Sequence, residues 1–147
     1  MKKLVLTIML LALSQAAFAQ LEPWKDYDVS DAVWQITTVK VDPNMGDYYL
    51  EGLRDSWVAA NKVQKELGHI EDFSIFRTMA PNGGDANMFL VVKFADTSDL
   101  APNQEKYNAF MKAWGEANQD RTREISANYP SMREITGEYL ARKIELK

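Results

Sequence analysis

The chain has 147 residues, no cysteine and a formal net charge of −4 at pH 7. The lack of cysteine excludes a disulfide framework, a lipidated N-terminal cysteine and a cysteine-ligated metal centre. An acidic chain without a basic cluster argues against nucleic acid or an anionic membrane surface as the partner. Because 46% of the residues are hydrophobic, we expect an apolar core to hold the protein together.

Residues 1–19 have the composition of a cleaved secretory signal. Lys2 and Lys3 precede the apolar run Leu4 to Leu13, which is too short to span a bilayer. The stretch Ala17-Phe18-Ala19 supplies the small-x-small pattern of a signal peptidase site. We therefore expect a periplasmic or secreted mature chain of 147 − 19 = 128 residues, with 17 − 2 = 15 basic against 21 acidic side chains and no membrane attachment. An uncleaved anchor is the alternative.

The mature chain is predicted to begin with an extended arm at residues 20–31, followed by a single domain at residues 32–147. Ala32 to Val41 is rich in β-branched and aromatic residues and predicts the first strand. The sequence Asp42-Pro43-Asn44 then ends that strand.

A helix is predicted from Asp47 to Leu67. Leu53, Trp57 and Ala60 recur at three- and four-residue steps, which is the spacing of one helical face. Asp47 suits the N-terminal cap or the first turn, and Gly68 suits the left-handed position after the last turn.

Two further strands are predicted at Glu71 to Ala80 and Asn87 to Ala95, joined by the turn cluster Pro81 to Asp85. A loop this short favours an antiparallel hairpin. Strand two alternates, and either of its rows could face a cavity.

The last third of the domain is predicted to hold a helix and a strand. The helix begins at Gln104 and either kinks at Gly115 or lies solvated beyond it. Tyr129-Pro130 ends it, and Glu134 to Leu146 forms the last strand.

This order of elements predicts an α+β, ferredoxin-like βαββαβ fold with a four-stranded antiparallel sheet and two helices on one face. The opposite face of the sheet is then left exposed unless a ligand or another protein surface packs against it. On strand one we expect the uncovered row to be Val33, Gln35, Thr37 and Val39, and on strand three Phe89, Val91 and Lys93. A mixed patch of this kind is typical of an interface or a ligand site. The aromatics Trp34, Trp57, Phe110 and Trp114 are assigned to the core.

The element order, the strand VWQITTVKV and the long helix ending LGH before FSIFR resemble the dimeric α/β-barrel superfamily, which includes antibiotic-biosynthesis monooxygenases and EthD and NIPSNAP types. The resemblance covers Ala32 to Leu146 and includes no specific motif. It implies two sheets closing face to face, with a ligand between sheet and helices or inside the barrel. Haem-degrading members use an Asn, Trp and His set that does not map onto this chain. Because members of the superfamily differ in activity, the fold alone implies no function.

His69, the only histidine, can act as a general base or acid. It also directly follows the helix-ending glycine, which favours a partly exposed structural residue. We expect no metal site, because a single histidine needs further ligands, and no cofactor.

Five other residues are candidates for ligand contact: Gln35, Thr37, Tyr48, Arg77 and Lys93. A cation inside a strand can stabilise a carboxylate or an enolate, although a rim charge paired across strands is the simpler interpretation of Arg77 and Lys93. Gln35 and Thr37 can bond a ligand or each other across a dimer axis.

Three functions remain open. The first is an exported homodimer that binds a small, largely apolar molecule in a cavity formed by the paired sheets. The second is a cofactor-independent enzyme of the monooxygenase or isomerase type, in which His69 or Lys93 stabilises an enolate. The third is a purely structural dimer.

Overall fold

The computed structural model describes residues 20–79 and 86–147. The predicted signal at residues 1–19 and the turn cluster at residues 81–85 lie outside the described residues. Ser30–Lys143 forms one compact unit, and residues 20–29 with Ile144–Lys147 form a second, smaller one. The predicted division into a signal, an arm and a single domain stays a prediction.

The larger unit contains a four-stranded antiparallel sheet. Its strands are β2 (Val33–Val41), β3 (Asp72–Arg77), β4 (Met88–Phe94) and β5 (Arg133–Ala141). They pair in the order β3-β4-β2-β5. This places the first and third strands of the βαββαβ succession at the centre, so the predicted ferredoxin-like fold is confirmed.

The first helical segment is interrupted by a wider turn. It consists of α1 (Gly46–Leu53), a π-helical turn (Arg54–Val58) and α2 (Ala59–Glu66). The first turn follows Met45, while Asp47 lies inside it as an acidic residue. Of the two positions predicted for Asp47, the structure has the first turn, where a carboxylate favours the positive end of the helix dipole.

Gly68 ends this segment as predicted, with φ of +70°. The amide of Gly68 bonds the Lys65 carbonyl at 3.0 Å, and the amide of His69 bonds the Gln64 carbonyl at 2.9 Å. These two bonds form a Schellman motif. His69 is thus fixed at the end of the helix by its backbone.

The second helical segment breaks at Gly115, whose φ is +79°. It consists of α3 (Gln104–Trp114) and α4 (Glu116–Ala127), preceded by a 3₁₀ turn at Thr97–Leu100 and followed by one at Tyr129–Ser131. Both predicted alternatives are found, because the helix breaks at Gly115 and the helix beyond it has no buried residue.

The core lies between the helices and one face of the sheet. Its most deeply buried members are Val33, Val39, Tyr49, Leu53 and Met88. The register pairs Gln35 with Val92, Thr37 with Leu90 and Val39 with Met88. Paired residues of an antiparallel ladder share a face, so Gln35 and Thr37 face the helices. The predicted open row of strand one is wrong.

The opposite face of the sheet, called the open face, carries the other rows. Its apolar members are Trp34, Ile36, Phe76, Phe89, Val91 and Tyr139. The side chains of Phe76 and Tyr139 are 57% and 56% exposed. Placing Trp34 in the core was wrong, because both rows of strand one are apolar and the sequence pattern could not separate them. The open row predicted for strand three is confirmed.

The predicted last strand is divided in two. β5 ends at Ala141, and β6 (Ile144–Leu146) pairs antiparallel with β1 (Tyr27–Val29) in a separate two-stranded sheet. The predicted arm therefore contains a strand, and the end of the predicted last strand belongs to the smaller unit.

Candidate functional site

A cavity of about 410 Å³ lies between the helices and the central strands. We call it the Tyr–Arg cavity. Its apolar walls come from Val39, Leu53, Trp57, Ala60, Leu90 and Ile135. Its polar side chains are Thr37, Tyr49, Ser56, Thr122, Ser126, Tyr129, Arg133 and Glu138. Apolar walls with a few converging polar groups, at this volume, are typical of small-molecule sites.

A β-bulge turns Arg133 toward this cavity. β5 pairs Gly137 with Thr38 but Ile135 with Val39, so Thr136 is an extra residue. The Thr136 hydroxyl is held by the Thr38 hydroxyl at 2.8 Å. An inserted residue reverses the faces of everything beyond it in a strand. Without the bulge, Arg133 would lie on the open face.

The π-helical turn of the first helical segment supplies the opposite wall. It contains Ser56, which is 3% exposed. The Ser56 hydroxyl lies 2.8 Å from the Gly52 carbonyl and 2.6 Å from the Tyr129 hydroxyl. A Cβ on Gly52 would come within 3.0 Å of the Tyr129 ring, so glycine lets that ring lie directly on the helix. Single π-helical turns occur frequently at functional sites.

Two tyrosine rings lie beside the Arg133 guanidinium. Tyr49 and Tyr129 meet edge to face at 5.1 Å. The guanidinium carbon of Arg133 is 5.4 Å from the Tyr129 ring centroid and 6.0 Å from that of Tyr49. Such contacts stabilise a cation by the negative face of the ring and fix its position in the cavity wall.

Both tyrosines are neutral at physiological pH. Burial raises the pKa of Tyr49, and the hydrogen bond and charge of Arg133 lower it by less. Burial likewise raises the pKa of Tyr129 against the opposing hydrogen bond from Ser56. The neutral Tyr49 hydroxyl can donate to an acceptor group of a ligand. The Tyr129 hydroxyl instead donates to Ser56, because the Ser56 hydroxyl itself donates to the Gly52 carbonyl.

Two buried polar atoms along the cavity have no hydrogen-bond partner among the described residues. They are Nε of Arg133 and Oγ1 of Thr122. Almost all buried polar atoms in native proteins are paired. Both of these atoms belong to residues that line the same cavity, which points to a ligand with acceptor atoms.

A second cavity, of about 360 Å³, lies at the other end of the helix layer. We call it the His69 cavity. It holds two of the predicted residues, His69 and Gln35, with Trp57 shared between both cavities. His69 Nδ1 lies 2.8 Å from Gln64 Oε1. The histidine is half-buried. Its backbone amide bonds the Gln64 carbonyl, and its side chain forms part of the cavity wall.

The remaining predicted residues lie apart from these two cavities. Lys93 is on the open face, ion-paired with Glu71, with its Nζ 5.4 Å from the Trp34 ring centroid. Arg77 lies at the end of β3, 3.7 Å from Asp47. The side chain of Tyr48 is exposed. The paired, rim-charge interpretation of both cations agrees with this geometry.

The Tyr–Arg cavity is formed by three strands (β2, β4 and β5), both helical segments and the 3₁₀ turn at Tyr129, and the sequence analysis had singled out only Thr37 among its polar groups. Ser56, Tyr129 and Arg133 were missed. The one local signal was Gly52 inside an otherwise regular helix, since an interior glycine often has a packing reason. The bulge that turns Arg133 inward leaves no local signal.

Within residues 20–79 and 86–147, no three acidic or histidine side chains come together as a metal site would require. Over the same ranges, no helix has the length and apolar character needed to cross a bilayer.

No family model and no curated protein matches the chain. Solved structures do match it. A NIPSNAP family protein of unknown function from Agrobacterium tumefaciens is 16% identical, over 83% of this chain and 93% of that one, with a TM-score of 0.45. A dimeric ferredoxin-like protein of unknown function from Bacteroides fragilis is 14% identical, over 82% and 100%, with a TM-score of 0.43.

SnoaB from Streptomyces nogalater, a cofactor-independent oxygenase, is 9% identical over 80% of this chain and 94% of that one, with a TM-score of 0.36. These proteins are of the same kinds as those that the sequence resembles. At these identities the likeness concerns the arrangement of strands and helices, and it carries no activity or ligand over to this chain.

Proposed function

We propose that the protein is an exported, homodimeric binding protein that takes a small molecule into the Tyr–Arg cavity of each chain. The observation that carries the proposal is the cavity itself. It has about 410 Å³ of space, apolar walls and two unpaired buried polar atoms. This shifts the expected ligand position from between the paired sheets to between sheet and helices.

A fragment screen by protein-detected NMR tests cavity binding. Trp57 lines both cavities, so its indole N–H resonance, assigned with Trp57→Phe, reports binding in either one. The methyl resonance of Ile135, which of these two cavities lines only the Tyr–Arg cavity, identifies the site. We expect binders to shift both signals while leaving that of exposed Trp24 unchanged. A screen whose hits never perturb Ile135, or perturb Trp24 equally, contradicts cavity binding.

The open face supports the homodimer. Its apolar side chains form a patch across all four strands, and the helices of the larger unit lie on the other side. The patch is uncharged at its centre, with the Lys93–Glu71 ion pair toward one edge. An apolar, neutral surface is complementary to itself, which is what a two-fold interface requires.

Light scattering on the mature chain tests the dimer. Val91→Glu puts a charge at the centre of the open face, and we expect it to convert a dimer to a folded monomer because burying an unpaired carboxylate is costly. Ala117→Glu, on the exposed side of α4, is the matched control and stays dimeric. A monomeric wild-type protein contradicts the proposal.

The N-terminal sequence supports export. Cleavage after Ala19 predicts a mature protein that begins at Gln20. N-terminal sequencing of protein recovered from the periplasm or medium checks this, and full-length protein retained in the cell contradicts it.

A second function is favoured by one observation, the position of His69 in its own cavity. If Nδ1–H donates to Gln64 Oε1, the neutral ring keeps a lone pair on Nε2. That nitrogen is suited to removing a proton next to a carbonyl, the step shared by the isomerase and monooxygenase alternatives. His69→Ala is then expected to abolish turnover and leave the free energy of unfolding nearly unchanged, whereas retained turnover excludes the base.

A further inference from the structure

We infer that the molecule bound in the Tyr–Arg cavity is a small organic acid whose carboxylate pairs with Arg133. This inference rests on the proposed function and names the chemical class of its ligand. The first step is the state of Arg133. Its guanidinium is half-buried, and no carboxylate among the described residues lies within ion-pair distance of it. The other ion pairs of the larger unit are on exposed or partly exposed side chains.

The second step is the cost of that state. A charge withdrawn from water is stabilised only when an opposite charge or several hydrogen bonds replace its hydration. The two tyrosine faces supply part of this. Nε, however, is buried without a partner among the described residues. Guanidinium binds a carboxylate through parallel N–H donors. Because Arg133 lines the cavity, a ligand carboxylate there would supply the opposite charge that the guanidinium lacks.

The third step is the surrounding chemistry. The side chain of Thr122, whose hydroxyl is also unpaired, and the neutral hydroxyl of Tyr49 line the same cavity. These groups can donate to carboxylate oxygens. Glu138 is the single carboxylate in the cavity wall among the described residues, and it is exposed at the rim. The apolar walls then receive an aliphatic or aromatic body.

Calorimetry with matched pairs tests the inference. The probes are phenylacetate and 4-phenylbutyrate, each compared with its primary amide, which keeps the shape and removes the charge. We expect the acids to bind the wild-type protein about 10- to 100-fold more tightly than the amides, the range of a charge-assisted hydrogen bond. Binding is followed by NMR at Trp57 and at Ile135, because of the two cavities Ile135 lines only the Tyr–Arg cavity.

Variants assign the preference to one side chain. Arg133→Met is expected to remove the preference for the acid, and Arg133→Lys to retain part of it while preserving the fold. Arg123→Met is the control, because Arg123 is exposed on α4 and paired with Asp120. It should leave the preference unchanged.

The outcomes separate the two proposals. Equal binding of acids and amides in the Tyr–Arg cavity overturns the anionic ligand and leaves cavity binding standing. A preference for the acid that survives Arg133→Met overturns the assignment to Arg133. Failure of every probe to bind in the Tyr–Arg cavity overturns both the anionic ligand and the cavity function.

Discussion

The helix-covered face and the open face of the sheet are built from the same four strands, yet they solve different problems. On the covered face, Val39 and Met88 are almost completely buried, and polar groups such as Ser56 and Arg133 surround Tyr129. On the open face, aromatic and aliphatic residues remain partly exposed. The comparison teaches that one face stabilises the folded chain and borders the proposed ligand cavity, while the other is suited to the proposed contact with a second copy.

The largest expected effect is the loss in free energy of unfolding when a leucine of the core, compared with one at the surface, is truncated. Leu53 is 1% exposed and Leu67 37% exposed, so the same change should have unequal cost. Leu53→Ala is expected to lower the free energy of unfolding by about 2–5 kcal/mol through lost burial and a residual void. Leu67→Ala should cost far less. Urea denaturation measures both, and equal losses would contradict the assignment of the core.

A smaller effect is expected from the hydroxyl pair inside the covered face. Ser56→Ala removes the bonds to Gly52 and Tyr129 and leaves the Tyr129 hydroxyl buried beside an apolar group. The loss should be about 1–3 kcal/mol. Ser131→Ala, whose hydroxyl bonds a carbonyl at an exposed position, is the control. A loss no greater than that of the control would mean that the pair does not stabilise the cavity wall.

The pH dependence of stability should also separate buried from exposed tyrosines. Burial raises the pKa of Tyr49 and Tyr129 in the folded state. The unfolded chain therefore releases the phenol protons at a lower pH than the folded chain does, at about pH 10. Their contribution is present in full below that pH and is lost as the pH rises through the folded pKa values.

Denaturation in urea at a series of alkaline pH values measures this loss. Tyr49→Phe should flatten the alkaline decline in stability. Tyr107→Phe should not, because Tyr107 is 60% exposed. If Tyr49→Phe left the alkaline decline in stability unchanged, groups other than Tyr49 would be responsible for that decline.

The smallest effect on stability is expected at the open face. Phe76→Ser replaces a side chain that is already 57% exposed, so the monomer should lose only about 0.5 kcal/mol. The same change should raise the dimer dissociation constant, because it removes apolar area from the proposed interface. Denaturation at protein concentrations below the dimer dissociation constant measures the stability of the monomer. Sedimentation across a series of protein concentrations measures the dissociation constant itself. A large loss of monomer stability would mean that this face belongs to the core.

The sequence by itself determined the order of the strands and helices in the larger unit, the helix end at Gly68 and the facing of β4. These features depend on local chemistry. Glycine alone adopts the left-handed backbone without strain, and β4 had one row clearly more apolar than the other.

Only the tertiary structure decided the facing of β2 and the position of Arg133. Both rows of β2 contain apolar side chains, so alternation could not assign its faces. The bulge at Thr136 adds one residue to β5, and one residue reverses which side chains face the helices. The Tyr–Arg cavity exists because that reversal brings Arg133 to Tyr49 and Tyr129, which lie far from each other in the chain and meet only when the sheet and helices pack.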